Sequence, residues 1–515
     1  MADPIHPPIL SADLIVHALS RDLDRTVAVH GDGERMTAGM LRDAVSRHQQ
    51  FLESLDPKPR RAAMLSKNRI EVVEVSTALS FASVVATALH PMGAIEDYLY
   101  VIEDAEIDTL VFDADSFEAL AAQLKTKAPR IRHFLAMGES AVGTDILMAS
   151  RTLDARPLVA PRPDPSSLAR IAYSGGTTGR PKGIMCSHQG IVTSTLLQLT
   201  NWEWPRQVRH LICSPLSHAG ASALTPVLLL GGSMVVLPSF DPVSFMTAVE
   251  AHRITSVLMV PTMVIALLDH PRFGEFDLSS LEVIFYGASA FPAARLKEAI
   301  AKLGPVFFQF YGQAEAPMSV TVMRRDEHDV NDLQRLASCG RPTPLIQVAL
   351  LDDQGRQVAD GEPGEVCVRG PLVMMGYLNK PEETALAFEG DWLHTGDIAV
   401  SNPDGFLRIV DRKKDMIITG GFNVFAREVE DVLAGCPGVR QAAVIGVPDP
   451  KWGEAVKAIV VLEPGATVSA EDLIGRVRAE KGPVQAPKSV EFVDAIPLSP
   501  LGKPDKKALR QTYAA

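Results

Sequence analysis

Tyr173-Ser174-Gly175-Gly176-Thr177-Thr178-Gly179-Arg180-Pro181-Lys182-Gly183 is the stretch from which the rest of the chain can be read. Its glycines bare backbone N–H groups, the hydroxyls of Ser174, Thr177 and Thr178 add donors, and Arg180 and Lys182 add positive charge. A loop of that chemistry cradles a polyphosphate. It lacks the Gly-x4-Gly-Lys-Ser/Thr register of a Walker loop. Apolar residues stand on both sides, Ile171 to Tyr173 before and Ile184 to Cys186 after, so the loop is expected to join two strands.

Outward from the loop, short apolar strands alternate with helical patterns. Before it, strands are expected at 61–65, 84–89 and 108–113 and helices at 36–55 and 71–79. After it, strands are expected at 234–237, 255–260, 282–286 and 306–310, with a helix at 243–252. The last two strands are each expected to end in a glycine-containing turn. Fully apolar strands between helices imply parallel sheets covered on both faces. From 347 to about 410 the pattern changes to short strands and tight turns, as in a small β-barrel or sheet. Helix 428–433, strands 442–447, 455–462 and 489–493, and a helix opened by Ser469 with Asp472 at the capping-box position form a final α+β module. The fold class expected is therefore a large α/β N-terminal domain of stacked subdomains plus the small β element, with a small mobile α+β C-terminal domain. The boundaries are 1–411, a hinge at 412–414, and 415–515, the charged run Asp411-Arg412-Lys413-Lys414-Asp415 serving as an exposed link.

The 515 residues carry 50 Lys+Arg against 62 Asp+Glu, a net charge of −12. That balance disfavours a surface made to wrap nucleic acid. Five scattered cysteines form no CxxC pair, which fits a reducing cytoplasm. No signal peptide is evident at the N-terminus. Residues 210–240 lack Lys, Arg, Asp and Glu, but Pro215, Gly220, Pro226, Gly231-Gly232 and Pro238 interrupt them. Buried core is expected there, not a membrane span.

Further motifs follow in order: Pro215-Leu216-Ser217-His218, Tyr286-Gly287-Ala288-Ser289, Tyr311-Gly312-Gln313-Ala314-Glu315, Gly361-Glu362-Pro363-Gly364-Glu365, Trp392-Leu393-His394-Thr395-Gly396-Asp397, Gly420-Gly421-Phe422-Asn423-Val424 and Pro500-Leu501-Gly502-Lys503. With the Gly/Thr loop and the charged run, this series resembles the adenylate-forming superfamily, which includes acyl-CoA synthetases, stand-alone adenylation enzymes and beetle luciferases. The resemblance extends from residue 36 almost to the end.

The resemblance implies an ATP- and Mg²⁺-dependent acyl-CoA synthetase, an AMP-forming acid–thiol ligase with CoA as co-substrate. A carboxylate attacks the α-phosphate, pyrophosphate leaves, and a thiol then displaces AMP. It implies catalytic roles for Lys503, Glu315 and His218, with Glu315 also holding the metal. ATP and AMP would meet Ser174, Gly175, Gly176, Thr177, Thr178, Gly179 and Lys182, then Gly287, Ala288, Ser289, Tyr311, Gly312, Asp397 and Arg412. Asp397 would take the ribose hydroxyls, a task suited to a two-oxygen acceptor. Gly420 and Gly421 would line the CoA tunnel, and Lys414 would be the pivot. His218, Ala219, Gly220, Val260, Thr262, Met263, Gly287, Phe310 and Met318 are the acyl-pocket candidates. They are mostly small or apolar and include no Lys or Arg, which points to a hydrophobic aliphatic, cyclic or aryl acid.

Four positions depart from the family pattern: Ala314 stands where Thr is usual, Gly175 for Ser, Phe422 for Glu and Ala426 for Pro. Three other readings stand beside the leading one. The chain could load a separate acyl-carrier protein, act as a luciferase-like oxygenase, or bind nucleotide without catalysis. Small-molecule acid, ATP and CoA are the expected partners, with no nucleic acid and no transmembrane segment, and with homodimer formation left open.

Overall fold

The computed structural model describes residues 8–30, 33–174, 180–498 and 504–513. Two large sheets form the body of the N-terminal part. One has nine strands in the order Arg341–Pro342, Ala316–Met323, Phe307–Gln313, Val283–Tyr286, Ser256–Met259, Arg209–Ile212, Ser233–Val236, Thr26–Val29 and Arg35–Thr37. The other has eight, in the order Gly376–Tyr377, Lys182–Ser187, Leu168–Ser174, Val85–Ala88, Arg61–Leu65, Thr109–Asp113, His133–Met137 and Thr144–Asp145. Central neighbours run parallel, and strands such as Val283–Tyr286 are buried at all four residues. That is why they read as unbroken apolar runs and not as alternation.

One core joins the two sheets. Val27, Met234 and Val236 of the first share it with Ala62, Val111 and Leu135 of the second, and helices Ala38–Ser54 and Ile70–Phe81 lie in it. The second helix is apolar nearly all round, as a helix packed on several sides must be. His48 ties the helices together, with Nε2 3.1 Å from Glu74 Oε2 and Nδ1 2.8 Å from Ser150 Oγ.

Helix Ala38–Ser54 begins later than the periodicity predicts. Met36 belongs to strand Arg35–Thr37, paired antiparallel with Thr26–Val29, and Thr37 caps the helix by accepting from Met40 N. Segment 210–240 contains two buried strands and a short helix. No described helix is long and apolar enough to cross a membrane.

Residues 347–412 give a four-stranded antiparallel sheet, Gln347–Leu351, Gly364–Arg369, Leu393–Ser401 and Leu407–Arg412. It is the open-sheet form of the two expected there, because the first and last strands are its edges. After Arg412 the chain enters a separate five-stranded sheet that begins with Ile417–Thr419. Helix Ala426–Ala434 and helix Ala470–Lys481 pack on it, the latter with the Ser469–Asp472 capping box.

Candidate active site

The Gly/Thr loop links strands Leu168–Ser174 and Lys182–Ser187, which pair antiparallel with Ser174 opposite Lys182. Gly175 to Gly179, the Ser174 side chain and Lys503 lie outside the described residues. Lys182 forms an ion pair with Glu383, Nζ to Oε2 2.5 Å, and lies over the Tyr377 ring. Arg180 covers Tyr100.

The best-defined geometry surrounds Asp397. It is buried in strand Leu393–Ser401, at 4% exposure. Its Oδ2 accepts from Tyr311 OH at 2.8 Å and from Gln313 Nε2 at 2.6 Å, and its Oδ1 lies 2.9 Å from Arg412 Nε. A carboxylate has about four acceptor sites, so three donors still leave room for a further hydroxyl. Burial, and then Asp397, push the Tyr311 hydroxyl well above its ordinary pKa, so it remains a donor.

Two strand ends, at Gln313 and Arg412, and the middle of a third strand, at Asp397, make this arrangement. Strand Phe307–Gln313 continues through Tyr311-Gly312-Gln313, its pairing register shifting between Tyr311 and Gln313, so the glycine is inside the strand and the turn falls at Ala314-Glu315. This corrects the expected turn at Gly312. A side chain at Gly312 would place its Cβ 2.3 Å from Met318 N. Asp397 and Arg412 are direct cross-strand partners.

Glu315, half-buried at that turn, accepts at Oε1 from Tyr377 OH, 2.9 Å. Tyr377 also lies against Lys182, so a hard carboxylate oxygen, a donor type of which Mg²⁺ commonly takes one or two from a protein, stands near that lysine. Gly287 is buried, whereas Ala288 and Ser289 are exposed, and Ala288 holds φ at 65°.

The charged link is less uniformly exposed than its composition implies. Asp411 is only 4% exposed, because its carboxylate accepts from the backbone N–H groups of Arg412 and Arg427. Arg412, Lys413 and Lys414 are exposed. Glu365 anchors this region, accepting from Gly396 N at 3.0 Å and lying 3.2 Å from Lys413 Nζ and 3.0 Å from His394 Nδ1. Burial alone would raise the Glu365 carboxyl, but His394 and Lys413 outweigh it and hold it below the usual range.

Residues 16–378 match the AMP-binding enzyme family and residues 428–503 match its C-terminal domain. The chain belongs to the AMP-binding enzyme family. Within it the chain is an acyl-CoA synthetase, an AMP-forming acid–thiol ligase. It is 46% identical to a medium/long-chain-fatty-acid–CoA ligase of Mycobacterium tuberculosis, over 99% of this chain and 91% of the relative. It is 33% identical to a feruloyl-CoA synthase of Amycolatopsis sp, over 98% of each. An amide bond synthetase from Marinactinospora thermotolerans superposes with a TM-score of 0.88 at 32% identity, covering 98% of this chain and all of that one.

In this synthetase the acyl-pocket candidates fall in three groups. His218, Ala219 and Gly220 open a short 3-10 turn, where a Cβ on Gly220 would lie 2.4 Å from Ser214 O. His218 keeps solvent contact on one side and meets His90 edge-on, ring centres 4.9 Å apart. Desolvation, and then His90, lower its basicity, so the imidazole is neutral near pH 7. Val260 caps helix Pro261–Leu268, with Thr262 exposed and Met263 half-buried in its first turns. Met263 Sδ lies 3.8 Å from Ser214 Oγ, which links this group to the first.

Gly287, Phe310 and Met318 make the third group. A Cβ on Gly287 would lie 2.7 Å from the Phe310 ring, so the glycine lets that ring approach. Behind Phe310 stands Trp202, stacked at 5.1 Å and 16°, with Trp204 stacked on it in turn. Trp202, Phe310 and Met318 share one packed cluster with Ala219 against it. Motif reasoning assigned no part to Trp202, Trp204, His90, Tyr377 or Glu383. The close spacing of two of the chain's four tryptophans is the one sequence signal that could have raised the first pair.

On the C-terminal module, Gly420 and Gly421 form the turn of the hairpin Ile417–Thr419 and Phe422–Val424, both at positive φ. Ile418 and Phe422 are 52% and 61% exposed there, and Trp452 packs against Gly420.

Proposed function

We propose that this synthetase activates a hydrophobic carboxylic acid with ATP and Mg²⁺ and transfers the acyl group to CoA in the cytoplasm. The observation that carries the proposal is the Asp397 site: one buried carboxylate, oriented by Tyr311, Gln313 and Arg412, with acceptor capacity left over. Such an acceptor fits a ribose hydroxyl and orients AMP so that its α-phosphate faces the Gly/Thr loop. Lys182 meets the polyphosphate, and Glu315 holds Mg²⁺, which supplies charge neutralisation at phosphorus. Lys503 bridges the acid and the α-phosphate during adenylation, the module pivots at Lys414, and Gly420-Gly421 then lets the thiol approach.

The neutral His218 and the Phe310–Trp202 wall support an uncharged, apolar acyl body. Trp202 and Phe310 are 5% and 3% exposed and stacked on each other, so a chain could extend past them only by displacing packed rings. A compact ring-bearing or short to medium aliphatic acid suits that wall best. The test is acid-dependent pyrophosphate release across a panel of carboxylic acids, with CoA, an acyl-carrier protein and an amine offered as acceptors. Pyrophosphate release with product on CoA supports the proposal. Product on the carrier or amine alone would transfer the reading to another acceptor, and ATP binding without turnover would make the protein a nucleotide binder.

A further inference from the structure

Lys182 and Glu383 are brought together by backbone pairing. Strand Gly376–Tyr377 pairs with Lys182–Ser187, Tyr377 opposite Ile184, and Leu378 N donates to Gly183 O at 2.7 Å. The chain then turns into helix Pro381–Ala387, whose first turn holds Glu383. The carboxylate there meets Lys182 Nζ at 2.5 Å through Oε2 and Lys380 Nζ at 3.2 Å through Oε1. Hydrogen bonding to Lys182, the largest influence on it, lowers the Glu383 pKa, so the group is ionised at neutral pH. Tyr377, whose ring lies 4.8 Å from the Lys182 ammonium, donates its hydroxyl to Glu315. One connected set therefore holds the lysine of the Gly/Thr loop, the carboxylate suited to Mg²⁺, and a second carboxylate with no part in the reaction described above.

We propose that Glu383 is a counter-ion that competes with the ATP triphosphate for Lys182 and so tunes nucleotide affinity and pyrophosphate release. A lysine ammonium has three donors on a flexible stem. A carboxylate at 2.5 Å occupies one of them and repels an incoming polyphosphate. The triphosphate must displace that carboxylate or share the lysine with it, and Glu383 takes the lysine back as pyrophosphate departs. Lys182 and Glu383 side chains are 37% and 36% exposed, so the exchange is between partly hydrated ions. Exposed pairs of this kind are worth a factor of about two to five in an equilibrium.

The proposal rests on the polyphosphate reading of the 173–183 loop. Calorimetric titration of the full chain with ATP, AMP and pyrophosphate tests both. Glu383→Gln should tighten ATP and pyrophosphate about two- to five-fold, leave AMP unchanged, and lose that gain in a Lys182→Met background. Glu383→Ala provides a second variant, and thermal unfolding checks that each folds. Unchanged or weaker ATP binding in both Glu383 variants would overturn the proposal. So would a gain that persists without Lys182. If the unaltered chain binds ATP no more tightly than AMP, the loop reading fails and the proposal falls with it.

Discussion

Arg412 Nε stands 2.9 Å from Asp397 Oδ1, and the two residues face each other across strands Leu393–Ser401 and Leu407–Arg412. Arg412 is also the last residue of its sheet, two positions before Lys414, so the candidate ribose site and the start of the link share a side chain. Asp397→Asn keeps the shape but removes the charge that faces Arg412. We expect kcat/KM for ATP to fall about ten- to hundred-fold, as hydrogen bonds to ionised groups are worth about 1.5–3 kcal/mol. Steady-state pyrophosphate release at varied ATP checks this, and a change below two-fold would remove Asp397 from the nucleotide site.

Trp202 is predicted to limit the acyl body and to support the fold. Truncating a buried aromatic costs about 3–5 kcal/mol, so Trp202→Ala should lower the unfolding midpoint in urea. Trp202→Leu is the gentler variant. Both should move the preferred acid toward longer chains. A stability loss with an unchanged chain-length profile would leave Trp202 a purely structural residue.

Gly287→Ala makes the opposite change. Its Cβ would meet the Phe310 carbonyl at 2.4 Å and the ring at 2.7 Å, so Phe310 must shift. The KM for bulky acids should rise by more than the KM for small ones, measured on the same panel. A uniform rise across acid sizes would contradict a pocket role.

His210 gives the stability a pH dependence with a definite sign. It is fully buried beside Ser256, and desolvation lowers its imidazole pKa to about 3. The folded value is below the unfolded one, so the unfolded chain takes up the proton first. The stabilising contribution is complete above about pH 6.5 and is lost as pH falls toward about 3. Between pH 7 and pH 5 the unaltered protein should lose about 2 kcal/mol more than His210→Asn. Urea unfolding at the two pH values measures it, and equal losses would refute the assignment.

Much of the architecture was legible because buried parallel strands declare themselves as apolar runs. Strand Arg61–Leu65 coincides with its expected limits, and Val85–Ala88 and Val283–Tyr286 fall within theirs. Met36 was misplaced because a short antiparallel pairing with Thr26–Val29 outweighs the helical period. Asp411 looked exposed because composition does not reveal backbone donors folded onto its carboxylate. In the site, motif order indicated where to look, but the partnerships of Asp397 with Tyr311 and Glu315 with Tyr377 span 86 and 62 residues. No local pattern encodes such contacts. The Trp202 wall was hidden for the same reason, since Phe310, Phe285 and Ser319 reach it from distant strands.

One site is expected to activate a hydrophobic acid with ATP and to pass it to CoA. The most direct measurement follows pyrophosphate and acyl-CoA together, by mass, for a panel of apolar acids with and without CoA. Acid-dependent pyrophosphate is expected, with one acyl-CoA per pyrophosphate when CoA is present and an acyl-adenylate when it is withheld. Pyrophosphate without acyl-CoA, or neither product with any acid, would contradict it.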